Sequence, residues 1–126
     1  MKSLILLAFL LPATGTYQES LSEISRAIGN GDADALGRFF DDSVEISVAD
    51  EEDVYDKGKA VAIVRNFFSR HKPLSFSQVH QGTSKGNESQ YCIGNLEAEG
   101  ATYRVYLYLQ RSDGRYLIQE LRFDEE

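Results

Sequence analysis

The dipeptide Asp113-Gly114 constrains this chain more than any other feature. It sits between two runs, 101–110 and 115–123, rich in β-branched, aromatic and aliphatic residues. Asp-Gly readily adopts the positive-φ backbone of a tight turn, so the stretch predicts an antiparallel β-hairpin. Alternation puts Val105, Leu107 and Leu109 on one face of the first run and Arg104, Tyr106 and Tyr108 on the other. In the second run the same count puts Leu117, Leu121 and Phe123 opposite Tyr116, Ile118 and Glu120. Large side chains on both faces predict a hairpin that is packed on both sides. No motif in the chain commits it to a reaction.

Everything upstream reads as material that covers this hairpin. A length of 126 residues suffices for one domain with a proper core and not for two. Residues 1–15 have the form of a secretory signal peptide: Lys2, an apolar run over 4–11, then Pro12-Ala13-Thr14-Gly15 as a cleavage region. The mature domain is then 16–126, in the periplasm or outside the cell. The apolar run is too short for a membrane-spanning helix, and no other run is longer. Lys2 is the only charged residue of the leader, so its removal takes the formal net charge from −7 to −8. That charge argues against nucleic acid or an anionic membrane as a partner. Cys92 is the only cysteine, so no internal disulfide is expected, and its place in a strand pattern predicts a buried, inert thiol.

Ser20-Leu-Ser-Glu23 fits a capping box, with Ser20 as N-cap of a helix that carries Leu21, Ile24 and Ile28 and stops at Gly29-Asn30-Gly31. Residues 16–19 read as a short lead. Asp32 caps a second helix over 33–40, with Leu36 and Phe40 inward. A strand follows over 44–48. The acids Asp50-Glu51-Glu52-Asp53 read as a solvated loop, after which Val54-Tyr55 resumes a short strand. A third helix over 59–70 carries a wide apolar stripe of Ala60, Val61, Ile63, Val64, Phe67 and Phe68, suited to lying across a sheet. Lys72-Pro73 ends it. Strands over 74–81 and 88–98, with a glycine-rich turn at 82–87, lead into the terminal hairpin. Helices and strands segregated in this order predict an α+β domain.

The residues Ile28-Gly-Asn-Gly-Asp32, Phe39-Phe40 before Val44-Glu45-Ile46, and Tyr55-Asp-Lys57 leading to Phe67-Phe68 carry a resemblance. So do His80-Gln-Gly-Thr-Ser-Lys85, Tyr91-Cys-Ile-Gly94, Arg104-Val-Tyr106 and Ile118-Gln-Glu-Leu-Arg122. On these the chain resembles the exported bacterial family called domain of unknown function 4783, within the nuclear transport factor 2-like superfamily. The resemblance implies a cone: three N-terminal helices packed on a curved, mostly antiparallel sheet, with a hollow between the third helix and the sheet. It implies no mechanism, because that superfamily hosts enzymes, binders and scaffolds.

Enzymes of this fold type line the hollow with acids, histidines and tyrosines. The corresponding candidates here are Tyr91, Arg104, Tyr106, His80 and Phe68, as a ligand-binding set, with Tyr108 and Tyr116 as further strand tyrosines. Arg104 is equally suited to pair with Glu120 across strands. His80 lies beside a loop with Lys85 that lacks the helix N-terminus a phosphate loop needs. His71 follows a helix C-terminus and complements its dipole. The acids at 50–53 lack the spacing of a calcium loop, and the histidines and cysteine are too scattered for zinc. No metal, cofactor or catalytic set is therefore expected. The reading is a non-catalytic module that binds a small apolar or amphipathic ligand in the cone or a protein partner on the sheet face, with a homodimer plausible. The alternative is a small isomerase, dehydratase or hydrolase that uses His80 or an acid with Tyr91 or Tyr106.

Overall fold

The computed structural model describes residues 17–126, with side chains from Ser20 onward. The signal peptide read at 1–15 lies outside the described residues. Helix α1 is Tyr17–Asn30, α2 is Ala33–Gly37, strand β1 is Phe40–Val48, β2 is Glu51–Asp56 and α3 is Lys57–Arg70. Then come β3 (Pro73–Thr83), a single 3₁₀ turn (Lys85–Asn87), β4 (Ser89–Ala98), β5 (Ala101–Ser112) and β6 (Arg115–Glu125). The six strands form one sheet in the order β2-β1-β6-β5-β4-β3. Only β1 and β6 run parallel; the other pairs are antiparallel. This is the expected α+β architecture, three helices on one face of a curved sheet.

Local chemistry explains most element ends. Asp32 accepts a hydrogen bond from the Ala35 backbone N–H at 3.0 Å and caps α2. Asp56 does the same for α3, accepting from the Lys59 N–H at 2.9 Å, so α3 begins at Lys57, two residues earlier than the expected start at 59. Asp113 and Gly114 both adopt positive φ, 51° and 78°, as a two-residue primed turn requires.

Tertiary contacts overrule the local signal elsewhere. Ser20 is not an N-cap: α1 begins at Tyr17 and Ser20 lies inside it, so 17–19 are helix and not a lead. A cap preference is worth only about 1 kcal/mol, and no breaker precedes it. Helix α2 stops at Gly37 and not at Phe40, because β6 captures the chain: the Ile118 N–H donates to the Phe39 carbonyl at 2.6 Å. Phe40 is still buried, but from a strand. The acids at 50–53 are solvated as expected, yet they do not form a loop. Ala49 and Asp50 make a tight turn at φ 51° and 67°, and Glu51, Glu52 and Asp53 already belong to β2. That strand is a sheet edge, where exposed charge discourages pairing with another chain. The loop at 82–87 is shorter than expected, since β3 runs on to Thr83.

The hairpin faces need the largest correction. In β5, Val105, Leu107 and Leu109 are buried as expected. In β6, Tyr108 pairs with Glu120 but Leu109 pairs with Ile118, so Gln119 is an extra residue on β6. This β-bulge turns the first half of the strand over. Tyr116 and Ile118 therefore share the core face with Leu121 and Phe123, instead of opposing them. The Gln119 amide donates to the Asp41 carboxylate at 3.0 Å, which ties the bulge to β1. Nor is the hairpin packed on both sides. The helices cover the inner face only, and Tyr106 on the outer face is 38% exposed.

The core lies between α1, α3 and the inner sheet face. Phe123 is its centre, with its ring 4.3 Å from that of Phe67 and 6.1 Å from that of Phe68. Cys92 is fully buried in this layer, and desolvation pushes its thiol up to about 11. A thiol so placed stays protonated and unreactive in the folded state.

Candidate functional site

The positions that bury Ala60, Val64, Phe67 and Phe68 leave a neighbouring stripe of α3 beside the core: Lys59, Ile63, Asn66 and Arg70. Their spacing of four, three and four residues keeps them on one side of the helix. Across from this stripe stand Ile46 and Val48 of β1, the turn at Ala49, and Glu51 and Tyr55 of β2. Between them is a groove of about 490 Å³, with Phe67 in its wall and His71 beyond the end of α3. This is the hollow between third helix and sheet that the fold implies.

Its floor is apolar and its rim is polar. The Lys59 ammonium lies 6.0 Å from the centre of the Tyr55 ring, within cation–π reach. His71 is fixed in place. Its backbone N–H donates to the Phe67 carbonyl at 2.9 Å, and its ring lies 5.1 Å from Phe67 and 5.5 Å from Tyr103. Burial, with the charge of Glu125, holds the Tyr103 hydroxyl above its ordinary value.

The five residues singled out from sequence lie elsewhere. Phe68 is in the core, edge-on to Phe123. Tyr91 and Tyr106 are on the outer sheet face, where they flank a depression of about 230 Å³ with Ile93, Tyr108, Glu120 and Arg122. The Tyr91 ring lies over Gly82 so closely that a Cβ there would come 2.3 Å from the ring. The His80 ring is 6.1 Å from Tyr91, on the same exposed edge. Arg104 pairs with Glu126 at 2.9 Å and not with Glu120, because the register sets Glu120 opposite Tyr108. Tyr116 is buried, and its hydroxyl donates to the Asn87 carbonyl at 2.8 Å. The structure thus brings Tyr91, Tyr106 and His80 towards one another outside the groove. What sequence reasoning missed is Tyr55, Lys59, Asn66, Arg70 and His71. The wet stripe of α3, one helical step from its apolar stripe, was the available signal.

Acids crowd the other half of the outer face. Glu45 and Glu120 are partners across β1 and β6, and Glu52 lies on β2 beside them. A hydrogen bond to Glu45, and then the charge of Glu45, hold the Glu52 carboxyl above its ordinary range; Arg122 opposes this in part. The native state therefore binds that proton more tightly than the unfolded chain, and loses stability as pH rises through the carboxylate range. Glu52→Gln is expected to raise the thermal midpoint near neutral pH and to lose that advantage once acid has protonated both wild-type carboxyls. Thermal melts at the two pH values check this, and an equal gain at both contradicts it. Among the described residues no group of three histidine, cysteine or acidic side chains is arranged to hold a metal ion. No described helix is long and apolar enough to cross a membrane.

Comparisons with known proteins agree on the fold and leave the chemistry open. A protein of the same unknown-function family from Bacteroides uniformis is 28% identical, with a TM-score of 0.79 over 83% of this chain and 95% of its own. A second, from Bacteroides ovatus, gives 28%, 0.79, 83% and 94%. An NTF-2-like protein of unknown function from Silicibacter pomeroyi shares the fold at 14% identity, with a TM-score of 0.59 over 88% of this chain and 99% of its own. A search of curated proteins finds no match. The family described as "Domain of unknown function (DUF4783)" matches residues 21–124, nearly all of the described chain, and the protein belongs to that family.

Proposed function

We propose that the protein is an exported, non-catalytic binding module that holds a small apolar or amphipathic molecule in the groove between α3 and the β1–β2 hairpin. The observation that carries this is the groove itself. At about 490 Å³ it falls in the size range of small-molecule sites, and Ile46, Val48, Ile63 and Phe67 give it an apolar lining with a few polar groups around it. The residues that an acid–base reading would have used, His80 with Tyr91 or Tyr106, lie on the far side of the sheet from it. The leader-like composition of residues 1–15 supports export.

The test is native mass spectrometry of the protein recovered from the exported fraction of an expressing cell. The expected spectrum shows cleavage after Gly15 and a retained small-molecule mass. A chain that keeps residues 1–15 contradicts export. A clean apo mass, together with no stabilisation by a panel of apolar and amphipathic compounds, contradicts the binding role.

A second reading, self-association through the outer sheet face, is favoured by the exposure of Tyr91 and Tyr106 there, 41% and 38%. Light scattering that finds a monomer at every accessible concentration removes it.

A further inference from the structure

Taking the groove as a ligand site, we infer that its ligand is an amphiphile with an anionic head, seated so that the head meets Arg70 beside His71 and the chain lies along Phe67, Ile63 and Val48. The first support is charge. The protein carries a formal net charge of −7, yet this groove is lined by two cations, Lys59 and Arg70, with His71 beside them, against one acid, Glu51. A chain with an excess of acids has concentrated positive groups where the small-molecule site would be, which raises the local potential for an anion.

The second support is that Arg70 is available. The ion pairs among the described residues are Arg65–Asp34, Arg104–Glu126 and Arg122–Asp124, and Arg70 is in none of them. Lys59 at the other end of the stripe is over the Tyr55 ring, so it already has a partner. A guanidinium matches a carboxylate through two parallel N–H donors, and the pair is among the stronger charge-assisted contacts.

The third support is shape. Arg70 follows Phe67 and Ile63 on the same side of α3, so an apolar chain that leaves the guanidinium runs directly onto them. From Arg70 back to Lys59 the helix rises about 16 Å, eleven residues at about 1.5 Å each. Decanoate, extended, is shorter than that. It therefore fits lengthwise with its head at Arg70 alone.

The test compares decanoate with the uncharged decanol by isothermal titration calorimetry, on the wild type and on Arg70→Gln. Arg70 is exposed and is in none of the ion pairs among the described residues, so the variant is expected to fold with a nearly unchanged melting temperature. The inference expects decanoate to bind about tenfold more tightly than decanol, and Arg70→Gln to erase that difference while decanol affinity stays the same. Equal wild-type affinity for the two probes overturns the anionic head but leaves the groove a ligand site. A decanoate preference that survives Arg70→Gln places the head elsewhere and also overturns it. If neither probe binds, the groove reading falls as well.

Discussion

Deletion of Gln119 is expected to leave a chain that does not hold its fold. Gln119 is the one residue of β6 without a partner on β5, and it separates two halves of the strand that both bury their side chains. Without it, continuous pairing forces one half through a one-residue slip, which sends every side chain of that half to the other face. If the first half slips, Ile118 and Tyr116 leave the core and Leu117 enters it. Ile118 is fully buried, and it also anchors the parallel pairing with Phe40. Exposing two large side chains costs about 3–6 kcal/mol before any loss of strand pairing is counted. Against a total stability of about 5–15 kcal/mol that is a large fraction of the margin, and losing the β1–β6 pairing at Phe40 and Ile118 as well is what takes the deletion below it. The check is circular dichroism and urea unfolding of the purified deletion. Gln119→Ala separates the bulge from its side chain: it keeps the extra residue, loses only the hydrogen bond to Asp41, and should stay folded with a loss of about 1 kcal/mol. A cooperative transition in the deletion near the wild-type midpoint would show that the bulge is dispensable.

Phe123→Ala is the second change with a large expected effect, about 3–5 kcal/mol of lost stability. Phe123 is 1% exposed and packs on Phe67 and Phe68 of α3. The substitution leaves a cavity where the helix meets the sheet, bordered by the Phe67 and Phe68 rings. Because Phe67 also lines the groove, the variant should bind groove ligands more weakly as well. Denaturant unfolding gives the first quantity and calorimetric titration the second. A loss below about 1 kcal/mol would mean that the core collapses around the gap, since the cost of truncation depends on that relaxation.

Much of the fold was legible because local physics and tertiary structure agree along most of the chain. Asp32 and Asp56 act on backbone N–H groups three residues away, and Asp113-Gly114 acts on its own dihedrals. The apolar stripe of α3 is a helical repeat that no other conformation would bury so well. The site was less legible. Tyr91, Tyr106 and His80 were candidates because they are the polar aromatic residues on strands, but which face a strand residue takes depends on register. Lys59, Asn66 and Arg70 looked like ordinary helix surface. They become groove residues only because the β1–β2 hairpin rises on their side of α3.

By itself, then, the sequence determined the class of the domain: three helices, the terminal hairpin, a single core without a disulfide, and an acidic surface. These follow from interactions that span a few residues or from composition. Tertiary structure alone decided the bulge at Gln119, the end of α2, and the placement of Arg70 and His71 beside an apolar groove. Each of these depends on partners distant along the chain. Ile118 reaches back to Phe39, Gln119 to Asp41, and Val48 stands across the groove from Ile63. A local pattern states a preference, and burial against a distant segment is the larger energy wherever the two conflict.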